Sequence, residues 1–147
     1  MYVRLQLVIY AVICYTITRM RGIRMSLLRL SEQLIKECDE SILRFQLYRE
    51  QDKEPDFFKE VKPHAYQLDE ILLEWEKLVR TWIQVKRPKY VHPSQVDSLL
   101  ESMKQFIVQS YYKGTSKMRF LKSIHSSKYT LETIIQAIKE VGDEHAD

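Results

Sequence analysis

Arg87 and His92 lie five positions apart in Arg87-Pro88-Lys89-Tyr90-Val91-His92-Pro93, and they form the pairing in this chain with the clearest chemical potential. An arginine can hold a phosphate through its planar fork while a histidine moves a proton near neutral pH. Arg119 and His125 repeat the pairing with one more residue between them. Two matches in one short chain make the pairing weakly specific, and a proline, Pro88, follows the first arginine. The same residues also have plain structural uses. Arg87 and Lys89 suit solvated cations at a helix end, Tyr90 and Val91 suit a plug over the end of a bundle, and His92 suits an N-cap.

Other chemistries find less support. A di-metal bundle needs Glu-x-x-His pairs projecting from one helix face, and no glutamate here precedes a histidine at that spacing. His64, His92, His125 and His145 contain no pair four apart, the spacing of a zinc-binding helix. Cys38 falls on an apolar helical stripe, the usual place of a small buried hydrophobe, and Cys14 lies in a very different context, so no disulfide framework is expected. No catalytic residue, metal ligand or cofactor is expected.

The net charge of +3 suggests an anionic partner until its distribution is read. Residues 1–24 hold Arg4, Arg19, Arg21 and Arg24 and no acid, and the remainder is nearly balanced. Within it, Lys86, Arg87 and Lys89 are expected near Glu140, Asp143, Glu144 and Asp147, all at one end of the fold. Lys113, Lys117, Arg119 and Lys122 are expected near Glu50, Asp52, Glu54 and Asp56 at the other. Such exposed pairs are worth about 0–1 kcal/mol each. They argue against the contiguous basic face that nucleic acid needs.

Leu5 to Ile17 is apolar and rich in β-branched and aromatic residues. It does not read as a secretory signal, because the arginines follow the apolar run and no small-residue cleavage site appears. As a membrane anchor it is short of the roughly 20 residues a span needs. Arg21-Gly22 can be encoded by a purine-rich ribosome-binding sequence at a suitable distance before Met25. Residues 1–24 are therefore expected to be a leader of translated upstream sequence or, less favoured, an anchor, outside a domain of residues 25–147.

Four helical periods follow. Leu27, Leu34, Cys38, Phe45 and Tyr48 make the first stripe, and the charged run before Pro55 ends it. Asp56 can cap Phe57–Glu60, with Glu60 completing a loose capping box, as a short extra helix before Pro63. The second long period is Ala65, Leu68, Leu72, Trp75, Val79 and Trp82. The third starts with Pro93 in its first turn and is expected to end at Gly114 as a left-handed cap. The fourth is expected to start at Thr115 or Ser116 and to run through Phe120, Ile124, Ser127, Leu131, Ile134 and Ile138 to Gly142. Four such helices joined by short connections imply an all-α, up-down-up-down four-helix bundle.

Lys62-Pro63, Arg87-Pro88-Lys89-Tyr90-Val91-His92, Gln109-Ser110-Tyr111 and Tyr129-Thr130-Leu131 together resemble the YppE-like family of small bacterial proteins of unknown function, over about residues 25–141. The resemblance implies a four-helix bundle in the cytoplasm of a low-GC Gram-positive bacterium, and it implies no site residue. The expected function is a non-enzymatic protein-interaction or regulatory module, with Arg87, Lys89, Tyr90 and His92 contacting a protein partner and Tyr112 a second choice. The rivals are a HEPN-like helical protein acting on nucleotides or RNA through Arg87 and His92, and a membrane-tethered bundle using residues 1–24.

Overall fold

Once nucleated, a helix adds one hydrogen bond per residue until something stops it. Nothing does so in the first 50 residues, which contain no proline, and Gly22 keeps a negative φ with open space around it. The computed structural model, which describes residues 2–143, accordingly shows a single helix α1 over Tyr2–Glu50. This corrects the expectation that residues 1–24 lie outside the bundle. Ile23 packs against the core, and Arg24 Nε donates to the carbonyl of Ile138 at 3.3 Å. From Tyr2 to Arg19, however, every residue is exposed.

The stop for α1 comes at Asp52, with φ 49°. Asp52 N–H donates to Arg49 O and Lys53 N–H to Tyr48 O, which together make a Schellman ending with aspartate in the left-handed position usually taken by glycine. A single π turn, Phe57–Val61, then leads directly into α2, Lys62–Lys86. Asp56 caps the turn, accepting from Phe58 N–H at 3.1 Å and Lys59 N–H at 3.0 Å. Glu60 completes the box by accepting from Asp56 N–H at 2.7 Å. Glu60 sits one residue further along than in an α-helical capping box, and the wider π winding accommodates that spacing. The extra helix expected here is this turn, continuous with α2.

Helix α2 ends at Arg87, which is left-handed at φ 46° and ψ 57°. Helix α3 spans Pro93–Gln109 and α4 spans Lys117–Asp143. The expectation that Gly114 ends α3 is incorrect: the helix stops at Gln109, and Ser110–Thr115 form successive turns. Thr115 Oγ1 donates back to Gln109 O, so a hydroxyl closes α3 where a glycine was expected, and no glycine has a positive φ among the described residues.

The four helices pack in a ring, α1 against α2 and α4, α3 against the same two. Cross-links give the directions. Ser31 and Glu37 of α1 meet Trp75 and His64 of α2, while Arg24 and Asp39 of α1 meet Ile138 and Lys128 of α4. In each pair one number rises as the other falls, so these neighbours run antiparallel. The stripes read from the sequence form the core. Trp75 and Trp82 are buried, and Trp75 Nε1 donates to Ser31 Oγ at 2.9 Å. Phe45 stacks on Phe120 with ring centroids 4.3 Å apart.

Candidate functional site

The loop that the sequence singled out sits at the end of the bundle where α1 enters the core. Val91 is buried beneath it, but Tyr90 is 75% exposed, so only one of the two expected plug residues closes the bundle. His92 is the N-cap of α3, its N–H donating to Gln95 Oε1 at 2.8 Å. Arg87, Lys89 and His92 are exposed, and no hydrogen bond or ion pair joins Arg87 to His92 among the described residues. Tyr90 shares a groove of about 390 Å³ with Tyr129, Glu132, Thr133, Ala137 and Glu140 of α4. Tyr112 does not belong to this surface. It is half-buried at the opposite end, packed with Tyr48, Val61 and Tyr111.

Lys113 does find the acidic neighbours expected for it, bridging to Asp52 and Glu54. At the loop end, no ion pair involves Lys86, Arg87 or Lys89 among the described residues, and the Asp143 side chain, Glu144, His145 and Asp147 lie outside them.

The opposite end holds a polar network that sequence reasoning missed. Glu37 Oε1 accepts from His64 Nε2 at 2.9 Å and from Arg44 at 3.4 Å. His64 Nδ1 lies 2.8 Å from the Tyr111 hydroxyl. Arg44 also donates to Ser110 Oγ at 2.9 Å and lies over the Tyr111 ring, 4.8 Å from its centroid. The Ser110 hydroxyl in turn donates to Ile107 O at 2.6 Å. Tyr48 meets Tyr111 edge-on and donates to Glu60 Oε1 at 2.7 Å, linking the network to the π turn.

Burial by itself raises the Glu37 carboxyl, but the hydrogen bond from His64 and the charges of His64 and Arg44 outweigh it and hold the group below its ordinary range. Burial pushes the Tyr111 phenol up. Because His64 Nε2 donates to Glu37, Nδ1 of the neutral ring accepts from Tyr111, and in the protonated ring Nδ1 donates to it. The triad keeps its bonds in either state. Leu43, Leu47, Arg44, Lys53 and Tyr111 line an open groove of about 720 Å³ beside it. Arg44 and Lys53 are each already paired with a carboxylate. The network therefore reads first as a clasp tying α1, α2 and the end of α3 together.

A faint signal for this clasp was present in the sequence. Glu37 and Arg44 are seven apart on α1, flanking the apolar stripe on one face, and His64 directly follows the proline that opens α2. Nothing local paired these residues with Tyr111.

The Cys38 thiol is pushed up to about 12, chiefly by burial and secondarily by Asp39. No group of three or more His, Cys, Asp or Glu side chains positioned to hold a metal occurs among the described residues.

A ring of four antiparallel helices with an apolar core and a polar clasp at one end defines a four-helix-bundle protein. The chain belongs to the bacterial domain of unknown function DUF1798, whose family model matches residues 31–138. It is 31% identical over 109 residues to the uncharacterised protein YppE of Bacillus subtilis strain 168, covering 74% of this chain and 89% of that one. The crystal structure of that protein superposes with a TM-score of 0.75 at 29% identity, over 84% of this chain and 98% of its own. A DUF1798 structure from Staphylococcus aureus gives 0.70 at 28% identity, over 76% and 95%. A protein of unknown function from Listeria innocua shares the fold, with a TM-score of 0.78 at 24% identity, over 83% and 98%.

Proposed function

We propose that the protein is a non-enzymatic interaction module that docks a polypeptide partner in the Tyr90–Tyr129 groove. One observation carries the reading: two tyrosines from different elements, 75% and 69% exposed, line the same groove. Rigid amphipathic rings of this kind are enriched at protein interfaces. Both signs lie close by, with Glu132 and Glu140 lining the groove and Arg87 and Lys89 just before Tyr90 in the exposed loop. A segment presenting an apolar or aromatic side chain to the rings, flanked by opposite charges, would be held in one register.

The test is comparative capture from cells. Tyr90→Ala, Tyr129→Ala and Lys89→Glu should each lose the same partner that the unmodified protein retains, with stability changed by less than about 0.5 kcal/mol, as for surface substitutions. A partner retained by all three variants would move the contact surface elsewhere, and strong destabilisation would make the groove a structural feature.

A further inference from the structure

Helix α1 continues well beyond the bundle. From Tyr2 to Ile17 its large apolar residues Tyr2, Val3, Leu5, Leu7, Val8, Ile9, Tyr10, Val12, Ile13, Tyr15 and Ile17 are 48% to 89% exposed. The family match begins only at residue 31, so this segment is an addition to the shared fold. We propose that residues 2–18 anchor the bundle in a lipid bilayer, with Arg19 and Arg21 in the headgroup layer.

Three observations favour lipid over a protein surface. First, the apolar residues do not form a stripe. At about 100° per residue, Leu5, Leu7, Val8, Ile9 and Tyr10 already point to every side of the helix. A helix that pairs with another helix, or lies flat on a membrane, needs a one-sided face, whereas one surrounded by hydrocarbon does not.

Second, the two threonine hydroxyls of the segment are satisfied within the helix: Thr16 Oγ1 donates to Val12 O and Thr18 Oγ1 to Cys14 O, each at 2.8 Å, so neither needs water. Third, the charges are ordered. No acid occurs before Glu32, three arginines cluster at the bundle side, and Arg4 lies within one turn of the far end. Arginines at such positions extend their guanidinium groups to the interface, and the cluster places the bundle on the cytoplasmic side.

The apolar length is modest. The apolar run from Leu5 to Ile17 spans roughly 20 Å at 1.5 Å per residue, against a hydrocarbon core of about 30 Å, and local thinning with the reach of Arg4 and Arg19 to the two interfaces makes up the difference. Since α1 is unbroken from this segment into the core, the bundle would stand at a fixed distance from the surface. The end facing the membrane carries the Arg87–His92 loop, because Arg24 is bonded to Ile138 near the end of α4.

The experiment is flotation of the full chain with phosphatidylcholine–phosphatidylglycerol vesicles, followed by an alkaline carbonate wash. The chain should float and resist the wash. Val8→Asp combined with Ile13→Asp should abolish flotation while leaving the melting temperature of the bundle unchanged. Any of three results would overturn the anchor: full-length chain left in the aqueous layer, a discrete dimer that persists there in the presence of vesicles, or protein from its native source whose intact mass begins at Met25.

Discussion

Glu37 keeps its charge in a half-buried setting because His64 and Arg44 both face it. A carboxyl held low in the folded state binds protons less readily than it does in the unfolded chain, so stability rises with pH between the two values. Its contribution is complete above the unfolded value of about 4.3 and is lost as pH falls through the folded one. Glu37→Gln should therefore flatten the acid limb of a stability–pH profile measured by urea unfolding between pH 6 and about 3. An unchanged slope would show that other carboxylates carry the acid sensitivity. At this scale the sequence was informative where a role is local. The N-cap positions of Asp56 and His92 could be read from one short segment each. The triad could not, because Glu37, His64 and Tyr111 belong to three separate segments and only the folded chain brings them together.

The helices show the same division between local and distant causes. Spacing of three and four gave the stripes, and every large residue named in them for α1 and α2 is buried or half-buried. The starts and stops were harder. The π turn arises because Asp56 and Glu60 cap each other one residue too far apart for an α-turn, and periodicity carries no trace of that. The exposed start of α1 has no one-sided apolar period to read, although helix propagation needs none. The buried faces of the helices also contain two oddities. Ser41 of α1 and Ser127 of α4 are buried, and neither hydroxyl has a partner. Replacing either with alanine removes an unsatisfied group and adds helix propensity. Each substitution should raise stability by up to about 1 kcal/mol in chemical denaturation. A loss of similar size would mean the hydroxyl packs better than a methyl.

For the molecule as a whole, short connections between long helices were enough to indicate antiparallel neighbours, and the family's solved structures share that fold. The two ends of the bundle are unlike. The clasp end joins three elements through charged and aromatic side chains, while at the loop end Val91 is buried in the core and the rings of Tyr90 and Tyr129 are exposed. Sequence could not distinguish the ends because both are rich in tyrosine and cations. One contact at the loop end has a topological consequence. Arg24 donates to Ile138, so the position where α1 enters the core and the last turns of α4 are direct neighbours. A short glycine-rich linker between them would close the core into a ring, which could then be reopened at the exposed Gly114. Such a circular permutant should keep its helix content and cooperative melting by circular dichroism. If it does, the connectivity of these helices is interchangeable, and the core alone selects the fold.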